Sequence, residues 1–328
     1  MVVALPEGLD GPVEVALARS EEAIPPSSSL KGGALYELKW DGYRVAVVRD
    51  GAGARLWSRQ GKELTSRFPD LVAAAVAQVE PGTVLDGEAV IWNGSRLDFD
   101  LLQRRLVNTP RKVAVLAARN PASLIVFDVL AHRAKDIRRR ALRERRQLLE
   151  ELSAGWDPPL QLSPTTDDEV TARDWMTQYR PAGIEGLVIK AADSVYTPGR
   201  RTWIKVKSRE STDVLIGGIT GSLERPETIV AGLVRGGELQ VVGRSTPLTR
   251  DQAQSLATVL TPAGPNHPWP DIISSSRFGT GRDKVPLVKV EPSVVAEVLA
   301  DAALQAGGYR HPLRFVRARL DLGPEDLS

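Results

Sequence analysis

A lysine stands between two carboxylates in the segment Glu37-Leu38-Lys39-Trp40-Asp41. If residues 34–41 form a β-strand, the two-residue period of a strand puts Glu37, Lys39 and Asp41 on one face. A lysine amine that has lost its proton is a nucleophile, so this position could carry covalent chemistry. The same pattern also describes a surface ion pair on an edge strand, which contributes little to stability. On its own, the segment favours the surface ion pair.

Several common sites are absent from the sequence. It has no G-x-x-x-x-G-K-[ST] loop, no G-x-G-x-x-G after a strand and no H-E-x-x-H helix, and its 3 histidines are scattered. It also has no cysteine, which excludes disulfides, thiolate zinc sites and a cysteine nucleophile. Any use of ATP must therefore proceed without a P-loop.

The lysine segment, which continues through Gly42-Tyr43-Arg44, is the first of a series of short motifs. The later motifs are Ser58-Arg59-Gln60-Gly61, Leu85-Asp86-Gly87-Glu88, Phe127-Asp128-Val129-Leu130, Glu185-Gly186-Leu187-Val188-Ile189-Lys190 and Trp203-Ile204-Lys205-Val206-Lys207. In this order they resemble the motifs of covalent nucleotidyltransferases, which include DNA ligases, RNA ligases and mRNA capping enzymes. The chain is most similar to bacterial ATP-dependent DNA ligases of the C and D types. The likeness extends to Val290-Glu291-Pro292 and Arg310-His311-Pro312 and so covers nearly the whole chain.

The resemblance implies that Lys39 attacks the α-phosphate of ATP, forms lysyl-AMP and expels pyrophosphate. An unperturbed lysine is only about one part in a thousand neutral near pH 7.5, so the site must lower its pKa or remove its proton. Lys205 and Lys207 share a strand face with Trp203, and the resemblance puts both lysines at the α-phosphate, where they would also disfavour charge on Lys39. The alternative is a solvent-facing strand surface.

The resemblance also implies the nucleotide site. Phe127 would stack on adenine and Glu37 would accept a hydrogen bond from its amino group, although residues 124–130 are apolar enough for a buried strand in which Phe127 is only core. Glu88 is expected at the ribose or a metal ion and Glu185 at Mg²⁺ or Mn²⁺, with a structural Glu185 beside a glycine turn as the alternative. The remaining nucleotide-site residues would be Arg44, Lys190 and Trp203.

Arginines are the candidates for gripping other phosphates. Arg44 and Arg59 would bind the 5′-phosphate at the nick through paired hydrogen bonds, unless each is only a surface cation. The last motif of the family reads Arg-x-Asp-Lys and orients pyrophosphate. Here the matching stretch ends in Leu322 instead of lysine, so the motif is incomplete. The resemblance implies that Arg317, Arg319 and Asp321 orient pyrophosphate.

Length and composition describe an ordinary soluble chain. The length of 328 residues favours two domains. The hydrophobic content of 42% and the charged content of 26% are typical of a globular protein and not of a disordered or membrane protein. The net charge is only +2, but cations cluster over residues 133–146 and 310–319. Leucines at helical spacing from Leu142 to Leu152 make the first cluster the solvated face of a helix in preference to a DNA contact.

The order of patterns predicts an α+β adenylation domain over residues 1–208, a linker at 209–212 and an all-β OB-fold barrel over 213–328. Alternating β-like and helical runs precede residue 208, and glycine-rich β segments follow at 213–219, 229–234 and 239–242. One helix is expected at 249–260. No further N-terminal DNA-binding domain is expected before Lys39, and the barrel is expected to move about the linker.

The combined prediction is an ATP-dependent DNA ligase that seals 5′-phosphate/3′-hydroxyl nicks in duplex DNA during DNA repair. It would act as a cytoplasmic monomer, away from membranes, alone or with DNA-repair proteins. Three alternatives remain: a GTP-using capping guanylyltransferase, an RNA ligase, and a DNA-binding module without catalysis. Labelling with ATP against GTP separates the first from a ligase, and DNA binding without any nucleotide adduct identifies the last.

Overall fold

The computed structural model describes residues 4–274, 284–301, 304–305 and 307–327. The chain divides into two compact units, of which the first ends at Ser208 and the second begins at Arg209. No helix among the described residues is long and apolar enough to cross a membrane.

The first unit mixes strands and helices. Its helices are α1 (Pro69–Gln78), α2 (Phe99–Val107), α3 (Pro110–Arg119), α4 (Leu142–Ser153) and α5 (Glu169–Gln178). Its strands are β1 (Ala18–Glu21), β2 (Ala34–Leu38), β3 (Tyr43–Arg49), β4 (Ala54–Ser58), β5 (Thr83–Asn93), β6 (Arg96–Leu97), β7 (Ala122–His132), β8 (Lys135–Asp136), β9 (Leu160–Leu162), β10 (Thr165–Thr166), β11 (Gly186–Ala191) and β12 (Trp203–Lys207).

Local sequence explains where several of these helices begin. Pro69 and Pro110 occupy the first turns of α1 and α3, where a helix has no use for their missing N–H groups. The carboxylates of Asp98 and Asp168 accept hydrogen bonds from backbone N–H groups in the first turns of α2 and α5.

Two sheets organise the first unit. One has the strand order β1-β12-β11-β2-β10, and the other has the order β4-β3-β5-β7-β8, with β6 paired to β5 and β9 paired to β7. Strand β2 ends at Leu38, before Lys39, rather than continuing to residue 41. Beyond β2, the Lys39 N–H donates to Gly186 O at the start of β11, and the Lys39 C=O accepts from the N–H of Glu185, which lies one residue before β11 and outside the regular ladder.

The second unit is built on an antiparallel sheet. Its elements are β13 (Arg209–Gly221), β14 (Pro226–Arg235), β15 (Glu238–Arg244), α6 (Arg250–Ala257), β16 (Ile272–Ser274), β17 (Lys284–Pro286), β18 (Val288–Lys289), β19 (Val295–Asp301), β20 (Leu304–Gln305), β21 (Gly308–Tyr309) and β22 (Arg314–Ala318). The main sheet has the order β15-β14-β13-β19-β22, and β18 joins β13. A register shift between Ile216 and Gly218 interrupts β13, as bulges do where strands bend.

Two sequence expectations for this unit differ in detail. Residues 209–212 are the first residues of β13 and pair with residues 298–301 of β19, so they are not an irregular linker. Cross-strand pairing overrides their polar composition. The expected helix at 249–260 is present but shorter, from Arg250 to Ala257, with the Thr249 hydroxyl as its N-cap.

Candidate active site

A pocket of about 810 Å³ lies in the first unit and is lined by residues from both sheets. Nine of the residues with a role predicted from the sequence line it: Glu37, Lys39, Arg44, Arg59, Glu88, Phe127, Lys190, Trp203 and Lys205. The motifs therefore converge on one site although they are spread over most of the unit.

Lys39 follows the last residue of β2 and points to a buried carboxylate. Its Nζ forms an ion pair with Glu185, whose side chain is 2% exposed, so its partner is neither Glu37 nor Asp41. The backbone holds this contact, because Lys39 N donates to Gly186 O at 2.8 Å and Glu185 N donates to Lys39 O at 2.9 Å. Residue 186 must be glycine, since its φ is +141° and a Cβ there would lie 2.1 Å from Val206 O.

Glu37 is buried beside Lys190. Lys190 Nζ lies 2.9 Å from one Glu37 oxygen and 2.8 Å from the other. The side chain of Lys190 is 0% exposed and that of Glu37 is 3% exposed. The same ammonium lies 4.8 Å from the centroid of the Phe127 ring and 4.1 Å from that of Trp203. Burial raises the pKa of Glu37, and the charge of Lys190 opposes that rise.

The position of Phe127 is compatible with both roles considered from the sequence, a ring that stacks on a base and a residue of the apolar core. It lines the pocket, and it is also 9% exposed and part of an apolar cluster with Leu130 and Trp203. The Phe127 and Trp203 rings meet edge to face, with their centroids 6.0 Å apart.

A substitution separates these two roles. Phe127→Leu should raise the KM for ATP about 5- to 150-fold, because stacking on one base contributes roughly 1–3 kcal/mol. Phe68→Leu is the matched control, since Phe68 is fully buried and does not line the pocket. A drop in melting temperature for Phe127→Leu as large as that of Phe68→Leu, with unchanged KM, would support the core role instead.

Arg44 is held in a fork by a buried carboxylate. Its Nε and one terminal nitrogen lie 2.9 and 2.6 Å from the two oxygens of Asp86, and its other terminal nitrogen donates to Ala16 O at 2.6 Å. The Tyr196 hydroxyl donates to Asp86 at 2.7 Å and accepts from Ala16 N at 3.0 Å. Burial lowers the pKa of Arg44, but Asp86, Tyr196 and Glu88 together raise it more, so the pKa lies above its ordinary value. Its expected contact with a DNA 5′-phosphate stays a prediction.

Side chains along β12 point alternately into the pocket and into the apolar core. Trp203 and Lys205 line the pocket, whereas Ile204 and Val206 pack in an apolar cluster behind the sheet. Burial and the neighbouring charges of Lys39 and Lys207 lower the pKa of Lys205. Lys207 is not among the residues that line the pocket, so its expected role stays a prediction.

Glu88 and Glu185 are the candidate carboxylates for a divalent cation that phosphate oxygens also bind. No group of three or more His, Asp or Glu side chains in the described parts of the chain could hold a metal by itself. Glu185 contacts Lys39, and Glu88 lines the pocket with a pKa raised to about 8 by burial. A magnesium ion that bridges phosphates needs only one or two carboxylates besides water, so this donor set fits such an ion.

Two arginines at the pocket have no hydrogen-bond or ion-pair partner among the residues that the structure describes. Arg59 follows β4, is exposed, and forms no hydrogen bond or ion pair within the described ranges; the same is true of Arg201. Both line the pocket. Arg201 was not predicted from the sequence, where its position two residues before Trp203 is the signal that could have found it.

Both arginines of the last motif form ion pairs within the second unit. Arg317 pairs with Glu297 at 2.8 Å, and Arg319 pairs with Asp321 at 2.8 Å and with Asp213 at 3.4 Å. The hydrogen bonds from Arg319 lower the pKa of Asp321 to about 2. A role of these residues in orienting pyrophosphate stays a prediction.

The cation cluster at 133–146 is not only a solvated helix face. Arg145 of α4 is fully buried and holds Asp128 of β7 through two hydrogen bonds of 2.8 and 2.9 Å. Arg143 remains on the surface, paired with Asp193. The interpretation as a helix face is therefore wrong for Arg145, because helical periodicity does not reveal a buried ion pair.

Comparisons with known proteins agree on one family. Residues 17–207 match the family model described as "ATP dependent DNA ligase domain". DNA ligase C2 of Mycolicibacterium smegmatis is 33% identical over 94% of this chain and 91% of its own length. DNA ligase C of Mycobacterium tuberculosis is 33% identical over 97% of this chain and 92% of its own length.

A solved structure gives the same result. The crystal structure of the ligase domain of Mycobacterium tuberculosis LigD is 27% identical, has a TM-score of 0.50, and is matched over 96% of this chain and 98% of that chain. The expected fold class, an α+β nucleotidyltransferase domain followed by an OB-fold, is confirmed. The chain belongs to the ATP-dependent DNA ligase family.

Proposed function

We propose that this chain seals nicks in duplex DNA by joining AMP to Lys39, passing the AMP to the 5′-phosphate, and joining that phosphate to the 3′-hydroxyl. The observation that carries the proposal is the position of Lys39, which lies one residue beyond the end of β2 and lines a pocket that also presents Phe127, Glu37 and Lys205. An aromatic ring, a carboxylate acceptor and a cation are the groups that adenine and an α-phosphate require.

The first step forms a bond between Lys39 Nζ and the α-phosphorus and breaks the bond from that phosphorus to the bridging oxygen of pyrophosphate. Lys39 must lose a proton before it attacks, and the Glu185 carboxylate is the acceptor that contacts its Nζ. Lys205 would stabilise the charge that develops on the α-phosphate oxygens. Pyrophosphate leaves with the electrons of the broken bond.

A divalent cation is part of this proposal. When bound, Mg²⁺ or Mn²⁺ would neutralise charge on the phosphates, and Glu185 and Glu88 would hold it. Phe127, Glu37, Trp203 and Lys190 would hold the nucleoside. Lys207, Arg317, Arg319 and Asp321 are proposed to assist at the α-phosphate and at pyrophosphate.

The second and third steps need a separate site for the DNA phosphate. A 5′-phosphate oxygen attacks the α-phosphorus and releases Lys39, and the 3′-hydroxyl then attacks the 5′-phosphorus and releases AMP. Arg59 and Arg201 are the arginines at the pocket that have no partner within the described ranges, and a guanidinium binds phosphate through paired hydrogen bonds. We therefore propose them as ligands of the 5′-phosphate, with Arg44 joining them if it leaves Asp86.

Arg59→Ala should leave self-adenylation largely intact and slow the sealing of a 5′-phosphorylated nick about 10- to 150-fold. A hydrogen bond between charged partners contributes about 1.5–3 kcal/mol, which corresponds to this range. Arg55→Ala is the control, because Arg55 lies on β4, the strand directly before Arg59 in the β3–β4 hairpin, but forms an ion pair with Asp50. Equal losses in adenylation and sealing would contradict the assignment of Arg59 to the DNA phosphate.

The whole activity is tested with purified protein, ATP, Mg²⁺ and a duplex that carries one 5′-phosphorylated nick. We expect a sealed strand and AMP in equal amounts, whereas a nick without the 5′-phosphate should stay open. Transfer of GMP from GTP would favour a capping activity, and DNA binding without sealing would favour a silent module. A cytoplasmic role of a monomer in DNA repair, with or without repair proteins, belongs to the same proposal.

A further inference from the structure

The Lys190–Glu37 ion pair is buried although both residues line the pocket. Both oxygens of Glu37 contact one ammonium, and that ammonium otherwise faces the rings of Phe127 and Trp203. Lys190 itself is fully buried, yet both residues line the pocket. A buried ion pair seldom increases stability, so a functional reason for it is worth seeking.

We infer that Lys190 is a positioning residue that holds Glu37 as a carboxylate, and that this charge makes the pocket select a 6-amino purine over a 6-oxo purine. The inference rests on the proposed function and deepens it. Adenine has an amino group at position 6, which donates to a carboxylate. Guanine and hypoxanthine have an oxygen there, which a carboxylate repels.

Removal of Lys190 would change the protonation of Glu37. Burial already raises the pKa of Glu37, and Lys190 is the first group that opposes the rise. The other charged groups that act on Glu37 are Arg145 and Arg146 of α4 and Asp128 of β7. Arg145 is already engaged by Asp128, and Arg146 by Glu150 and Ser163 O, so neither replaces the contact with Lys190.

A protonated Glu37 would lose its selectivity. A carboxylic acid has an O–H donor and keeps an acceptor oxygen, so it can bond to a 6-oxo group as well as to a 6-amino group. The folded-state pKa is raised, so the neutral form dominates below that pKa and disappears as the pH rises through it. Loss of selectivity in a Lys190 variant should therefore be largest at low pH.

The test compares ATP with inosine triphosphate, whose base is hypoxanthine, as donors for the covalent adduct on the full chain. In the unmodified protein the ratio of ATP to inosine triphosphate rates should stay constant between pH 6 and 9. Lys190→Met should lower the ratio about 5- to 150-fold at pH 6 and less at pH 9, because an unmatched buried polar group costs of order 1–3 kcal/mol. Glu37→Gln, which has both a donor and an acceptor, should lower the ratio at every pH.

Arg105→Met is the control for loss of a buried cation, because Arg105 is fully buried, pairs with Asp70 and does not line the pocket. Its ratio should not change, even if its melting temperature falls. An unchanged ratio in a folded Lys190→Met or Glu37→Gln variant overturns the inference, and so does a ratio that collapses on acidification of the unmodified protein. Absence of any adduct from ATP in the unmodified protein would instead overturn the proposed function.

Discussion

Lys39→Arg should abolish the covalent AMP adduct, with a loss of at least about 1000-fold, because a guanidinium stays protonated and cannot attack phosphorus. The arginine keeps a positive charge beside Glu185, whose side chain is 2% exposed and which would otherwise lose its ion pair with residue 39. We therefore expect the melting temperature to stay close to that of the unmodified protein. The adduct is measured with α-labelled ATP after denaturation.

Two controls accompany this variant. Lys112→Arg makes the same chemical change at an exposed position of α3 and should label fully. Lys39→Arg should still seal a nick whose 5′-phosphate already carries AMP, because that step does not use the amine. Full labelling of Lys39→Arg would remove Lys39 as the nucleophile.

The second large effect is expected from Lys205→Met. Removal of one donor from developing negative charge typically lowers a rate about 100- to 1000-fold, and Lys205 is the cation that β12 directs into the pocket. The methionine keeps most of the side-chain length, so a loss of adenylation reflects the missing charge. The rate of adduct formation at saturating ATP is the measurement that separates this effect from weaker ATP binding.

Lys112→Met is the matched control, since it removes an exposed lysine on α3. If Lys205 is only a solvent-facing residue of β12, the Lys205→Met and Lys112→Met variants should behave alike. A rise in KM for ATP with unchanged maximal rate would mean that Lys205 binds the ground state and does not stabilise the transition state.

Much of the site could be predicted from the sequence because the motif residues lie on strands. A period of two put Trp203 and Lys205 on one face of β12, and the structure confirms that both line the pocket. Lys39 was predicted on a strand, and it lies one residue beyond β2. The family likeness supplied the roles, which residue spacing alone did not.

Contacts between distant residues could not be predicted. Arg44 meets Asp86 across 42 positions, and Tyr196 meets Asp86 across 110, with no local pattern that marks either pair. Arg145 belongs to a run of surface cations, and only tertiary packing singles it out for Asp128. Residues 209–212 become a strand because β19 lies beside them, which their own polar sequence does not encode.

The most direct test is to find where AMP is attached. The unmodified chain is incubated with ATP and Mg²⁺ without DNA and digested at a pH that preserves the phosphoramidate. The masses of its peptides are then measured by mass spectrometry. We predict one AMP on the peptide that contains Lys39, and its transfer to DNA when a 5′-phosphorylated nick is added to the undigested adduct. AMP on a different lysine, or sealing with no protein adduct at any time, would contradict the account.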